Sequence, residues 1–483
     1  MLFRFLPLFL LVQLFSFGVS TAQVASRPIS QMLSTSGLEH ASIGFCVKDF
    51  SGKVIAAHDM KKSYVPASTL KLVTTATALE VLGSDYRYET LLAKDKNNPD
   101  RLLIIGSGDP TLGSEHLNNT PSGFIDVWVG EIVKAFPDKK EIEIVVVDNL
   151  FGYSGVSRKW LREDMGNYFA AGAYGISVFD NMYRLSFDTE NSNAAPKIIG
   201  TVPSMPDLVF ANTLRLNTTG KDNGYILGEP FSGRRAIIGD IPAGRKKFTI
   251  KGDIPDPGMF LVRTISERLL QQGIKVTKMQ TTRDTYHKEM YDKNRTIYNG
   301  QTFYTHRSSS LTQIVKQINV KSNNHYTEHL IRTIGRTKNR DIYSPALEEG
   351  VEKIKEVWAK RGVDTNALFM YDGCGLAPSD GVSAEMMCDI LKYMQVESRH
   401  SLPFLNSLPR AGRAGTVRNL LKGTRLEGKV SVKSGSIGNV QCFAGYYIDG
   451  DKKYTFSIMV NNYHAPRQAV VRAIERLLLD VLK

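Results

Sequence analysis

The spacing of apolar positions changes several times along the chain, and each change marks a different kind of element. Residues 41–58, "ASIGFCVKDFSGKVIAAH", contain two short apolar runs on either side of a Ser51-Gly52 turn, which is typical of a β-hairpin. After Pro66 the stretch "TLKLVTTATALEVLG" has helical character and ends at Gly83, a residue suited to the end of a helix. The start of the chain therefore predicts a hairpin followed by a helix.

The middle of the chain, residues 91–254, has short apolar runs such as "EIEIVVVDN" that are broken by Gly, Pro and Asn. This pattern predicts an inserted, mainly β unit. Helical spacing returns at Pro257 and dominates to about residue 400. Three strands are then predicted in "GKVSVKSG", "NVQCFAGYYIDG" and "KKYTFSIMVNN", and a C-terminal helix in "PRQAVVRAIERLLLDVLK".

This order of elements predicts an α+β fold in which both ends of the chain contribute to one antiparallel sheet with helices packed on it. We expect residues 23–90 and 255–483 to form that domain and residues 91–254 to form the insertion.

The N-terminal stretch "MLFRFLPLFLLVQLFSFGVSTAQ" has a basic residue, an apolar segment and a small-residue cleavage pattern. These features predict a signal peptide over residues 1–22 and therefore a periplasmic or cell-envelope protein. The apolar segment is short for a spanning helix, but an uncleaved membrane anchor is the alternative.

The formal net charge of +13 comes from basic residues spread along the chain, without a dense basic arm. This distribution argues against nucleic acid and favours anionic wall polymers or lipid headgroups, so peripheral membrane contact stays open. The 4 cysteines are too few for a disulfide scaffold in 483 residues and contain no CxxC pair, so free buried thiols are expected. No motif calls for a metal or other cofactor, and the sequence does not set the oligomeric state.

Three short motifs carry candidate chemistry. Ser68-Thr-Leu-Lys71 opens the first helix, but alone it is weak, because Ser68 could simply cap that helix. A Ser322-Asn-Asn324 triplet and a Lys433-Ser-Gly triplet on a predicted strand follow in order. Together they match the three motifs of the serine penicillin-recognising enzymes, which favours Ser68 as a nucleophile.

Each residue type suits a step of acyl transfer. A serine hydroxyl needs a base, and Lys71 lies one helical turn from Ser68. A lysine acts as a base only when burial and a nearby cation lower its pKa, and Lys433 is a candidate for that cation and for binding a substrate carboxylate. Ser322 could relay a proton to the leaving amine, and the Asn324 amide could hold the substrate's peptide bond.

The third motif also suits peptide binding. Gly435 would let a substrate approach the strand edge as an added β-strand, next to the hydroxyl of Ser434. The backbone N–H groups of Ser68 and Ser436 would then form an oxyanion hole.

With these motifs the chain resembles the class C low-molecular-mass penicillin-binding proteins, the D-alanyl-D-alanine carboxypeptidase/endopeptidase (peptidase S13) family. The resemblance also rests on "GSGDPTLG", "YDGCGLAPSDGVSA" and "LPRAGRAGTVRNLLKGT" and on the long gap between the first two motifs. It implies a serine β-lactamase/transpeptidase-like domain that acts on peptidoglycan peptides through an acyl-enzyme and is inhibited by β-lactams. Ser434 and Cys374 depart from the family's usual threonine and serine.

The same resemblance suggests how substrates are selected. In "WLREDMGNYFAA", Asp164 and Phe169 match an aspartate and a phenylalanine that border the family's cleft. Asp164 would pair with the free ammonium group of a diamino acid in the stem peptide, and Phe169 would pack on its methylenes. The alternative is an exposed loop aspartate beside Glu163.

Two other functions stay open as alternatives. His325, Glu328 and His329 match the H-x-x-E-H pattern of a zinc metallopeptidase, although this pattern overlaps the second motif. The chain could also be a catalytically silent wall-binding protein that keeps the fold. The sequence does not set the balance of carboxypeptidase, endopeptidase and transpeptidase activity.

Overall fold

The fold is taken from a computed structural model that describes residues 26–191, 194–292 and 298–483. The expected signal peptide, residues 1–22, lies outside these ranges. The helices of the described residues are α1 (Ser26–Leu33), α2 (Lys71–Leu82), α3 (Gly123–Ala135), α4 (Pro257–Gln271), α5 (Tyr286–Glu289), α6 (Leu311–Lys321), α7 (Asn324–Lys338), α8 (Ala346–Lys360), α9 (Ala384–Val396), α10 (Ser401–Ser407) and α11 (Arg467–Val481).

The strands of the same residues are β1 (Ser42–Asp49), β2 (Val54–His58), β3 (Ser63–Tyr64), β4 (Glu89–Asp95), β5 (Arg101–Ile105), β6 (Glu141–Val147), β7 (Met182–Asp188), β8 (Lys197–Val202), β9 (Val209–Asn212), β10 (Arg215–Asn217), β11 (Tyr225–Leu227), β12 (Arg234–Ile238), β13 (Asp240–Pro242), β14 (Phe248–Asp253), β15 (Lys275–Thr281), β16 (Gly300–Arg307), β17 (Val382–Ser383), β18 (Val430–Ile437), β19 (Val440–Asp449) and β20 (Lys452–Asn461).

Both ends of the chain build one antiparallel sheet, in the order β18-β19-β20-β1-β2. Side chains alternate along β1, so Phe45 and Val47 pack with α1 and α11, whereas Cys46 packs with α2, α6, α7, α8 and α9 on the other face. We call this unit the main domain. Its helix–sheet–helix layers confirm the predicted α+β class.

The insertion begins with β4 and has a mixed sheet of its own, in the order β15-β6-β5-β4-β16. β5, β6 and β15 are parallel, and α3 and α4 pack on one face of this sheet through residues such as Trp128 and Leu261. Smaller sheets, β14-β7-β8, β11-β12-β9 and β10-β13, complete the insertion.

The sequence predicted that the insertion ends at residue 254, but the strand pairing extends it beyond that residue. The helix predicted after Pro257 forms as α4, but it packs on the insertion, and β16 pairs with β4 before the chain returns to the main domain at Ser308. The insertion is therefore longer than expected and contains helices as well as strands. Amphipathic spacing predicted the helix but not the sheet that its apolar face would cover.

None of the helices in the described residues combines the length and the apolar character needed to span a bilayer.

Candidate active site

Ser68 lies in a 3₁₀ turn, Ala67–Leu70, that leads directly into α2. In this described part of the chain no side chain caps the turn or the helix, so Ser68 does not act as an N-cap. Its Oγ instead accepts a hydrogen bond from Lys71 Nζ at 2.8 Å. A hydroxyl and an amine thus lie within proton-transfer distance.

Lys71 is fully buried at the start of α2, and its Nζ also donates to the carbonyl oxygen of Cys374 at 2.7 Å. Burial lowers the pKa of Lys71, because loss of water favours the neutral amine. The groups that oppose this shift are Cys374, Asp372, Glu328 and Asp380. The lowered pKa is the property that a lysine needs in order to accept a proton.

Lys433, the lysine of the third motif, lies on β18 and is also fully buried. Its Nζ donates to Ser322 Oγ at 2.9 Å and to the Ser434 carbonyl oxygen at 2.6 Å. Burial, and secondarily the positive charge of Lys71, lower the pKa of Lys433 well below its usual value. The structure therefore brings the lysines and serines of all three motifs together.

β18 is an edge strand whose outer side is covered only in part. Ala411 N donates to the Val430 carbonyl oxygen, and Val432 N donates to the Pro409 carbonyl oxygen. Among the described residues no strand pairs with the rest of that side. Gly435 lies directly against the turn that holds Ser68: a Cβ on Gly435 would stand 2.7 Å from the Pro66 carbonyl oxygen and 2.9 Å from Ser68 N. The open edge thus runs past the candidate nucleophile.

The hydroxyl of Ser434 and the backbone of Ser436 lie on this same part of β18. Ser434 Oγ is 2.7 Å from Thr416 Oγ1, and Ser436 is exposed. Thr416 was not identified from the sequence, because only the fold brings the loop before β18 next to the third motif.

The second motif joins α6 to α7 and contacts the insertion. Ser322 ends α6 with a left-handed φ of 58°, and Asn323 caps α7 through a hydrogen bond from Tyr326 N. Asn324 Nδ2 donates to the Phe169 carbonyl oxygen at 2.7 Å. A cavity of about 240 Å³ opens beside this contact and is lined by Ser322, Asn324 and Phe169 among others.

Asp164 lies in the same insertion loop as Phe169 but is not exposed, unlike the alternative that the sequence left open. Its residue is only 8% exposed, and its Oδ2 has no hydrogen-bond partner among the described residues. Burial, and then the charge of Glu163, raise the pKa of Asp164 to about 6. Asp164 is not part of the wall of the 240 Å³ cavity that Phe169 lines.

The H-x-x-E-H residues are engaged inside the protein. His329 places Nδ1 2.7 Å from the Gly108 carbonyl oxygen and Nε2 3.1 Å from Ser177 Oγ. The Glu328 carboxylate accepts from Gly373 N and pairs with Arg332. Among the described residues, no group of candidate metal ligands includes either histidine of the pattern, which does not favour the zinc alternative.

Sequence reasoning did not assign a role to Asp372 or Trp160. Asp372 is fully buried and accepts the Trp160 indole N–H at 2.7 Å together with several backbone N–H groups. An aspartate before the glycines of "DGCGL" could have indicated a carboxylate that binds its own loop. Nothing in the local pattern indicated Trp160 as the partner.

The fold and the site together define a class of protein. The sheet lies between helical layers, a serine–lysine pair stands at the start of a helix, and a second lysine lies on the neighbouring edge strand. This arrangement is that of the serine penicillin-recognising enzymes.

Comparison with known proteins then places the chain within that class. The profile of the D-Ala-D-Ala carboxypeptidase 3 (S13) family matches residues 25–479. The chain belongs to this family and is a serine-type D-Ala-D-Ala carboxypeptidase. It is 26% identical over 465 residues to the D-alanyl-D-alanine carboxypeptidase of Actinomadura sp. (strain R39), covering 92% of this chain and 82% of that protein.

A second relative connects the sequence to a solved structure. The D-alanyl-D-alanine carboxypeptidase DacB of Haemophilus influenzae is 23% identical over 449 residues, which is 88% of this chain and 86% of that protein. The crystal structure of penicillin binding protein 4 (dacB) from Haemophilus influenzae superimposes with a TM-score of 0.76 at 20% identity, covering 94% of this chain and 98% of that one. This likeness shows a shared fold. Membership of the S13 carboxypeptidase family favours neither the metallopeptidase nor the silent wall-binding alternative.

Proposed function

We propose that the chain cleaves the bond between the two terminal D-alanines of peptidoglycan stem peptides, with Ser68 as nucleophile and Lys71 as its base. The observation that carries this proposal is the 2.8 Å hydrogen bond from the fully buried Lys71 amine to Ser68 Oγ. Neutral Lys71 would take the hydroxyl proton while Oγ bonds to the carbonyl carbon. D-alanine would leave with a proton, and water would then hydrolyse the ester.

Lys433 and Ser322 are proposed to serve the leaving group and the substrate carboxylate. The contact of Lys433 Nζ with Ser322 Oγ at 2.9 Å supports a path by which a proton reaches the departing amine. When it carries a proton, Lys433 would also attract the C-terminal carboxylate, next to the hydroxyl of Ser434. We propose that the Asn324 amide, at the start of α7, binds the substrate's peptide bond.

The open part of β18 is proposed to bind the substrate backbone as an added strand. The close approach of Gly435 to Ser68 N supports this, because it sets the strand beside the nucleophile. The N–H groups of Ser68 and Ser436 would then stabilise the oxyanion of the tetrahedral intermediate.

Penicillins are proposed to react at the same site. Attack of Ser68 on the β-lactam carbonyl would open the ring and leave an ester whose former amide nitrogen stays attached, so no group departs to make room for water. A further structure of the Haemophilus influenzae protein is complexed with a β-lactam, and this chain shares its fold with a TM-score of 0.73 at 19% identity.

Selectivity for diamino-acid stems is proposed to rest on Asp164 and Phe169. Buried Asp164 has an unpartnered Oδ2 and a raised pKa of about 6, so an ammonium group beside it would be favoured electrostatically. The backbone contact of Phe169 with Asn324 supports a link between this loop and the second motif.

The test is to incubate the purified chain with muropeptide monomers and cross-linked dimers and to identify the products by mass. Loss of one D-alanine from pentapeptide monomers is expected, and cleavage of dimers would add endopeptidase activity. The activity should survive EDTA and be absent from Ser68→Ala. Activity that is lost to EDTA and kept by Ser68→Ala would support the zinc enzyme instead.

The place of action is proposed to be the cell envelope. The expected signal peptide and the net charge of +13 suit an exported protein among anionic wall polymers. Peripheral contact with a membrane surface is compatible with that charge.

A further inference from the structure

A buried carboxylate organises the loop beside Lys71. Asp372 is fully buried, and both of its oxygens accept hydrogen bonds from N–H groups at 2.6–3.0 Å. The donors are the backbone N–H groups of Cys374, Gly375, Leu376 and Ala377 and the indole N–H of Trp160. A carboxylate bound in this way fixes the path of the whole loop, because charge-assisted hydrogen bonds are strong and directional.

This loop, residues 373–377, contacts α2 at two points and the 3₁₀ turn before α2 at a third. The carbonyl oxygen of Cys374 accepts from Lys71 Nζ at 2.7 Å, and that of Gly373 accepts from Thr74 Oγ1 at 2.7 Å. Gly375 has a left-handed φ of 78° and packs so closely on Ala67 that no side chain would fit. A displacement of the loop would therefore change the position of the Lys71 amine.

Trp160 reaches Asp372 from the insertion. It is 6% exposed and donates its indole N–H to Asp372 Oδ2 at 2.7 Å. Its ring packs in one apolar cluster with Cys374 and Leu376, and with Phe169 at the edge. The same insertion segment, residues 157–170, carries Asp164, so one piece of chain touches both the loop and the proposed selectivity site.

We propose that Trp160 and Asp372 are positioning residues for Lys71. The indole holds the carboxylate, the carboxylate holds the loop, and the Cys374 carbonyl holds the lysine amine toward Ser68. The insertion thereby contributes to acylation itself and not only to substrate selection. This inference rests on the proposed role of Lys71 as the base.

The first test is Trp160→Phe, which keeps most of the ring and removes the N–H donor. The rate constant for acylation by labelled penicillin should fall by roughly 10-fold, the size expected when one charge-assisted hydrogen bond is lost. Rates are measured on the fraction of protein that the label finally titrates, so unfolded molecules do not count.

Trp358→Phe is the matched control. Trp358 is also buried, and its indole donates to Thr77 Oγ1 at 2.8 Å on the same helix as Lys71. It should lose thermal stability but keep the wild-type acylation rate. Equal rates for Trp160→Phe and Trp358→Phe would overturn the inference. Failure of the wild type to be labelled would instead overturn the proposed function.

The second test is the pH dependence of acylation in Asp372→Asn. The ionisable groups around Lys71 are Cys374 on the loop, Asp372 and Asp380 on either side of the loop in sequence, Glu328 on α7 and Lys433 on β18. Asp372 raises the pKa of Lys71, so its removal should move the acid limb of the rate profile to lower pH, in addition to slowing the reaction. Trp160→Phe keeps the charge and should leave the limb in place. If the acid limb of the rate profile stays at its wild-type pH in Asp372→Asn, the Asp372 charge does not act on Lys71, and the inference is contradicted.

Discussion

Lys71 and Lys433 have similar surroundings, but different roles are proposed for them. Both are buried, and each donates to a serine hydroxyl, at 2.8 Å for Ser68 and 2.9 Å for Ser322. Only Lys71 touches the residue that is proposed to attack. Only Lys433 lies on the strand along which the substrate carboxylate would be bound. One lysine therefore has to lose a proton. The other has to carry positive charge while the substrate is bound, and the substrate carboxylate would itself raise the lowered pKa of Lys433.

Replacing each lysine by arginine should separate these roles. In Lys71→Arg we expect penicillin acylation to stop, because a guanidinium group does not act as a base near neutral pH. In Lys433→Arg we expect partial activity, since positive charge is retained. Acylation rates from labelled penicillin check both, and equal losses in the two variants would argue against the division.

Asp164→Asn tests the selectivity proposal. We expect slower hydrolysis of stem peptides that carry a free side-chain amine, with a loss of about 1–3 kcal/mol in transition-state stabilisation, since a charge-assisted hydrogen bond would be lost. Acylation by penicillin G, which has no such amine, should be nearly unchanged. Glu163→Gln removes the exposed neighbouring charge and is the control. Unchanged peptide kinetics in Asp164→Asn would remove Asp164 from substrate recognition.

For single residues, the sequence predicted the pairs that lie within one short motif. It did not predict the pairs that only tertiary contacts bring together. Ser68 and Lys71 are three residues apart and could be paired on a helix in advance. Trp160 and Asp372 are far apart in sequence, and their 2.7 Å hydrogen bond follows from the way the insertion packs on the main domain. Neither residue type alone indicates such a partner.

Among the elements, β18 is the one on which substrate binding is proposed to depend. No strand of the described residues pairs with the outer side of its last residues, and its Gly435 lies against the turn that holds Ser68. Strand and turn together form the proposed oxyanion site, so their spacing should control the reaction.

Gly435→Ala should disturb that spacing. The added Cβ would stand 2.7 Å from the Pro66 carbonyl oxygen and 2.9 Å from Ser68 N, and both are backbone atoms that cannot simply turn away. We expect penicillin acylation to fall by at least about 10-fold, since one misplaced oxyanion donor alone costs that much or more. Gly130→Ala, in α3, meets nothing within 4 Å and is the control. A normal rate in Gly435→Ala would show that the strand does not need this close approach.

The elements also show the limit of pattern analysis. The predicted helix after Pro257 exists as α4, but its apolar face lies on the sheet of the insertion and not on that of the main domain. Periodicity specifies which face of a helix is buried, whereas the partner depends on contacts between distant segments.

In the whole molecule, α7 ties the main domain to the insertion. It begins at the second motif, and His329 on it contacts Gly108 and Ser177 of the insertion. His325 lies one turn earlier, with its ring centroid 4.5 Å from that of His329. Burial lowers the pKa of His325 to about 3 and that of His329 well below its usual value.

These buried histidines predict a loss of stability in acid. The folded chain keeps His325 neutral while the unfolded chain binds a proton below about pH 6.5, so stability is complete above that pH and declines as the pH falls toward the folded pKa. From pH 7 to pH 5, His325 alone should remove about 2 kcal/mol from the free energy of unfolding. Urea unfolding at the two pH values should show a smaller acid loss in His325→Leu than in the wild type. The same loss in both would contradict a neutral buried His325.

The most direct measurement of the central claim is the intact mass of the chain after incubation with penicillin G. We predict that the wild type gains the mass of one penicillin molecule, that peptide mapping places the addition on Ser68, and that Ser68→Ala gains nothing. A wild-type chain without the adduct, or an adduct that persists in Ser68→Ala, would contradict the account.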